Sequence, residues 1–244
     1  MPALAALAAV LLGLGFGLGL LWAPEDADQG VSQRIFHLHV PAALTAYACF
    51  AWGAWKALRL LWLRVERYDL ESYTAVHMGV IFALLTLVTG TIWAKASWGV
   101  WWNWADEQLV LFLVLFLFYC AYFMLRFSVD PGPSRARMSA VYALFGVVLV
   151  PVSFLAIRLA QPILHPPATV VTRDVRENVP VEMLVSFLVC MAGMLALAGA
   201  LYAFELAGKR LDARLRELRA ALTDPRAGER PARAEPVAET EAVA

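Results

Sequence analysis

The sequence predicts an all-α fold: a polytopic integral membrane protein with six transmembrane helices and both termini on the cytoplasmic side. Three observations predict it. Of 244 residues, 61% are hydrophobic and 16% charged, against roughly 45–50% and about 25% in a soluble domain. Six stretches approach the roughly 20 apolar residues needed to cross a bilayer core. The basic residues are divided unevenly among the connections, which sets orientation.

The first stretch, residues 3–22, has no basic leader and no small-residue cleavage site, so it reads as a retained helix rather than a signal peptide. The others run over residues 39–61, 76–93, 107–125, 138–157 and 180–206. Pro41 suits the first turn of the second helix, where no N–H partner is lost. Pro151 is expected to kink the fifth. Fifteen of the twenty Lys and Arg residues fall in the connections after helices two and four and in the tail, and five on the other side. The richer side is expected to be cytoplasmic, so the loops after helices one, three and five face outward. Three segments follow: a membrane domain over 1–206 with an outer loop at 94–106, a charged amphipathic helix over 207–222, and a tail over 223–244. That tail is rich in Pro, Ala, Glu and Arg and is expected to be disordered, because it buries too little surface to offset chain entropy.

Composition also excludes classes of function. The formal net charge is zero, so nothing global suggests a polyanionic partner. Cys49, Cys120 and Cys190 each stand alone in apolar sequence, with no CxxC or CxxCH, which argues against a thiol oxidoreductase, a zinc site or a c-type haem carrier. Charges inside the spans are scarce, which disfavours a proton relay or ion-coupled transporter. There is no GxxxxGK[ST], so the chain is not itself an ATPase.

The outward loops carry the unusual residues. Between Lys95 and Asp106 stand Trp98, Trp101, Trp102 and Trp104. An interfacial belt accounts for one or two such residues; four in one loop, beside Gly99, suggest a surface for a large planar ligand. If the loop is helical, Trp98, Trp101 and Trp102 share a face, and Trp104 points elsewhere. Asp106 is placed to cap the fourth helix. His37, His39 and His165 lie on the same side as this loop, and imidazole is a good axial ligand for haem iron. His39 and His165 are the candidate pair, approaching an iron from opposite faces; a packing or surface role is the bland alternative. Pro162, Pro166 and Pro167 are expected to hold the His165 loop extended. His77 lies on the other side and reads as structural. Glu182 and Glu205 read as interfacial, and Arg34, Arg158, Arg173 and Arg176 as candidate partners for propionates.

These residues resemble a known family. Ala23-Pro24-Glu25 through Gln29-Gly30, then Arg34 through Ala43 around His37-Leu38-His39-Val40-Pro41, resemble the start of CcmC, the haem exporter protein C family of cytochrome c maturation. Trp98-Gly99-Val100-Trp101-Trp102-Asn103-Trp104 resembles its tryptophan-rich WWD domain, and Leu164-His165 its second outward histidine. The resemblance covers roughly residues 1–205. It implies a non-enzymatic protein of the bacterial inner membrane that binds haem b on the periplasmic side. Ligation would come from His39 and His165, and the ring contact from Trp98, Trp101, Trp102, Trp104 and Asp106. The implied partners are the haem chaperone CcmE, the ABC complex of CcmA and CcmB, the small subunit CcmD, and membrane lipid. One departure stands out: the family pattern places aspartate directly after the last tryptophan and arginine two residues on, where this chain has Ala105, Asp106 and Glu107. The rival readings are a quinone- or lipid-binding subunit, a structural permease-type subunit, and a CcsA-like haem synthetase component.

Overall fold

The computed structural model describes residues 1–159 and 179–223, with side chains for all of these except 156–159. Among the described residues the regular structure is helical, with one isolated bridge between Asp26 and Gly30. Helix α1 spans Pro2–Leu21, α2 Phe36–Leu63, α3 Arg67–Trp98, α4 Glu107–Ser128, α5 Pro133–Leu159 and α6 Val181–Thr223. A short 3-10 segment, Val31–Ile35, leads into α2. All six helices are long and apolar enough to cross a membrane. The chain divides into two compact units, Met1–Leu206 and Ala207–Ala244. In the second, residues 207–223 are helical and expose Leu211, Leu215, Leu218 and Leu222. The expectation of disorder over 224–244 lies outside the described residues.

The helices outrun their apolar windows, and the reason is local. Helix α3 starts at Arg67 rather than near residue 76 because the polar residues of its first turns are partnered. Asp69 takes a bidentate pair from Arg126 at 2.8 and 2.6 Å, Glu71 pairs with Lys56 at 2.8 Å, and Ser72 donates to the Gly53 carbonyl at 2.8 Å. Charges satisfied in this way no longer mark a helix end. Helix α2 likewise begins at Phe36, which puts Pro41 inside it rather than in its first turn; the hydrogen bond that residue 41 would give the His37 carbonyl is therefore absent. Pro151 stands within α5, as expected. Glu205, expected at an interface, accepts from His77 at 2.8 Å.

Helices α2 and α3 form the closest pair. Lipid is as apolar as leucine, so membrane helices gain most from close fit, and small residues permit it. Here Gly53 of α2 lies against Val76 of α3, where an added Cβ would meet its side chain at 2.9 Å, and Ala42, Ala46, Ala54, Ala57, Ala75 and Ala83 of the two helices are buried. Phe50 packs over Gly79, where an added Cβ would meet its ring at 2.5 Å, and stacks on Tyr119 of α4 with ring centres 3.8 Å apart.

Candidate functional site: an aromatic cleft bearing His39

The site forms where the N-terminal end of α2 meets the C-terminal end of α3. Gly99 ends α3. It adopts φ 76°, and its N–H bonds the Lys95 carbonyl at 3.2 Å, a left-handed cap that glycine adopts without steric cost. Trp98 is therefore the last residue of α3, not part of a loop starting at 94. The shared helical face expected for Trp98, Trp101 and Trp102 is not formed, because residues 99–106 are not helical. Asp106 closes the segment: its side chain accepts from Leu109 N–H at 3.3 Å as the cap of α4, as its position predicted.

A cleft of about 590 Å³, counted out to its open mouth, lies between these elements. His39, Trp93, Trp98 and Trp102 supply its aromatic lining, and Thr86, Thr91, Gln108 and Phe112 are among the other residues around it. Among the described residues no Lys, Arg, Asp or Glu lines it. Trp93 and Trp98 stack at 6.3 Å with planes 20° apart, and the His39 ring meets Trp93 edge-on at 5.5 Å. Trp101 and Trp104 are exposed; Trp104 meets Trp102 edge-on at 5.7 Å. Asp106 is buried under its cap and does not line the cleft.

The imidazole of His39 is oriented by α3. Thr89 gives its hydroxyl proton to the Leu85 carbonyl at 2.8 Å, so its oxygen receives the Nδ1–H of His39, 3.0 Å away. A proton on Nδ1 puts the ring's lone pair on Nε2. Gly90 makes the approach possible, since a Cβ there would lie 2.8 Å from His39 Cε1. His37, two residues away, is spent on packing. It is buried, lies where a Cβ on Gly19 would meet its ring at 2.8 Å, and its two ring nitrogens are engaged, Nδ1 with the Arg34 carbonyl at 3.4 Å and Nε2 with the Ser186 hydroxyl at 2.8 Å.

Several contributors were not singled out from sequence. Trp93 is buried, and its indole N–H is held by Gln29 at 2.8 Å. Gln29 is itself set by a turn in which Asp26 accepts from the N–H groups of Asp28 and Gln29 at 2.9 and 2.8 Å. Thr86, Thr89, Gly90 and Thr91 form a small, polar run inside an apolar span, and that run was the available signal. Arg34 pairs with Glu25 at 3.4 Å. His165, Arg173 and Arg176, with the prolines beside His165, lie outside the described residues, as does the side chain of Arg158.

The residues present fit a haem. Among the described residues no group of three or more His, Cys, Asp or Glu gathers to hold a bare metal ion, and His39 is the described imidazole that lines the cleft. Flat indole faces suit such a ring, and among the described residues no charged side chain lines the cleft and none partners the buried indole N–H of Trp102.

Membrane-length helices closing on a histidine-bearing aromatic cleft define a class, the polytopic α-helical membrane proteins. The comparisons narrow it. The sequence matches the family of CcmC, Heme exporter protein C, over residues 1–221, and the chain belongs to that family. It is 32% identical to the Heme exporter protein C of Haemophilus influenzae over 196 residues, 80% of this chain and 78% of that protein. It is 38% identical to that of Paracoccus denitrificans over 153 residues, 60% of this chain and 62% of the relative. The Escherichia coli K12 protein is 36% identical over 152 residues, 62% of this chain and 61% of its own length.

Proposed function

We propose that this protein is a haem-handling carrier that binds haem b in the His39 cleft and presents it, on the periplasmic side of the bacterial inner membrane, for cytochrome c maturation. The observation that carries the reading is His39, its Nδ1–H fixed by Thr89 at 3.0 Å, lining a tryptophan-walled cleft in a chain of the Heme exporter protein C family. A bound haem would supply an iron that takes imidazole ligands. His39 Nε2 would be one, and His165 the second. Trp93, Trp98 and Trp102 remove the ring from water, at roughly 25 cal/mol per Å2 of apolar area. Asp106 acts as a positioning residue, holding the start of α4 and with it the loop. The exposed Trp101 and Trp104 form the outward surface, in keeping with collection by a CcmE-like chaperone. CcmA, CcmB and a CcmD-like subunit are the proposed membrane partners. The protein makes and breaks no covalent bond itself.

The test is a visible spectrum of detergent-purified protein, wild type beside His39→Ala and His165→Ala. The expected wild type has a Soret band with six-coordinate low-spin features, lost or shifted in both variants. Full haem in both variants would remove these two histidines as ligands. A wild type that stays colourless after haem addition would overturn the haem reading in favour of a quinone site.

A further inference from the structure

The far end of α2 carries a second aromatic and cationic surface that the cleft does not use. Trp52, Trp55, Lys56, Arg59 and Trp62 fall within an arc of about 120° on this helix, at 100° per residue. Their tryptophans face outward, Trp52 47%, Trp55 49% and Trp62 81% exposed. At the same corner three cations converge on one buried ring. Arg59 and Arg67 lie over Tyr68 at 4.9 and 4.8 Å, and Lys56 at 5.6 Å. Lys56 also sits 4.6 Å from the Trp52 ring. Arg67 donates to the Tyr68 hydroxyl at 2.9 Å.

The charges at this corner do not balance. Among the described residues, Lys56, Arg59, Arg64 and Arg67 have two carboxylates close in sequence besides Asp69: Glu71, which holds Lys56 at 2.8 Å, and the exposed Glu66. Asp69 is matched by Arg126. Positive charge therefore remains beside a row of exposed tryptophans, at the end of a helix long enough to span a bilayer. Indoles settle at headgroup depth, and guanidinium groups are forked donors for phosphate oxygens.

We propose that this corner is a binding site for an anionic glycerophospholipid, with its phosphate on Arg59 and Arg67 and its glycerol and upper acyl chains along Trp52 and Trp55. The site is independent of the haem reading. Charge complementarity and the exposed indoles together select a lipid headgroup over a soluble phosphate, because only a lipid places an anion and an apolar chain against the same stripe. The Tyr68 ring holds the two guanidinium groups in place before the lipid arrives, which lowers the ordering cost of binding.

The experiment uses full-length protein in detergent, exchanged with phosphatidylglycerol or phosphatidylcholine and followed by native mass spectrometry. The wild type is expected to retain phosphatidylglycerol after phosphatidylcholine has dissociated. Losing cationic charge should weaken retention by about fivefold per arginine, roughly 25-fold for Arg59→Gln with Arg67→Gln. Glu66→Gln is expected to strengthen it, and inorganic phosphate not to compete. Equal retention of the two lipids by wild type overturns the proposal, as does unchanged retention in the double variant or displacement by inorganic phosphate. If the double variant does not fold, Glu66→Gln decides alone, and retention no greater than wild type overturns the site.

Discussion

At one end of the α2–α3 pair Arg126 reaches Asp69 through two nitrogens, Lys56 reaches Glu71, and His77 reaches Glu205. At the other end His39, Trp93 and Asp106 are tied to a hydroxyl, an amide side chain and a backbone N–H. The first end joins carboxylates to basic side chains. The second holds the rings of His39 and Trp93 by bonds to a hydroxyl and an amide, and among the described residues no Lys, Arg, Asp or Glu lines its cleft. Charged pairs bind helices firmly but are strongly hydrated when unpaired, so they make poor walls for an apolar ligand. Neutral bonds fix orientation without that cost, which suits a wall of indoles and one imidazole.

The largest expected effect breaks the charged end. Arg126 and Asp69 have side chains only 5% and 19% exposed. Asp69→Asn leaves the guanidinium buried without its counter-charge and should cost about 3 kcal/mol, read as a lowered unfolding temperature of the unloaded protein in detergent. Replacing both partners by Leu and Met should recover much of that loss. The contrast between the ends is sharpened if the single variant that survives purification still gives the wild-type haem spectrum. It is broken if haem binding falls in step with stability.

How much of this was legible in the sequence follows from the same contrast. Helix count and order came through because a lipid-facing helix declares itself by composition. The start of α3 did not, because Asp69 and Glu71 read as helix-ending charges until their partners Arg126 and Lys56, up to 57 residues away, are known. His39, Trp98 and Trp102 were visible as residue types in an unusual loop. The separation of His37 from His39 was not, since it depends on Ser186 and Gly19 in one case and on Thr89 and Gly90 in the other. Trp93 was hidden at the predicted end of a helix that in fact continues to Trp98.

A middle-sized effect follows from the glycines. Gly90→Ala places a methyl 2.8 Å from His39 Cε1, whereas Gly13 of α1 has nothing within 4 Å of an added Cβ. Both substitutions raise helix propensity by up to about 1 kcal/mol. Gly90→Ala should displace the imidazole and weaken haem binding by roughly tenfold or more, while Gly13→Ala should leave the Soret titration unchanged. Equal behaviour of the two variants would show that the packing of α3 against His39 does not set ligand geometry.

The finest test concerns one hydrogen bond. Thr89→Val keeps shape and volume but removes the oxygen that receives the Nδ1–H of His39. The ring then loses the bond that favours its Nδ1–H tautomer, and the lone pair is no longer held on Nε2. Outer partners of this kind typically change affinity 10- to 100-fold; the small displacement expected here places Thr89→Val near the tenfold end. Thr89→Ser, which keeps the hydroxyl, should restore wild-type binding. Haem titration of the three proteins, with unfolding temperature measured alongside, separates the outcomes. Loss in Val with rescue in Ser, at constant stability, assigns the effect to the hydrogen bond. Loss in Ser with wild-type binding in Val would assign it to the methyl packing of Thr89 in α3, and this end of the bundle would then be held by shape rather than by directed bonds.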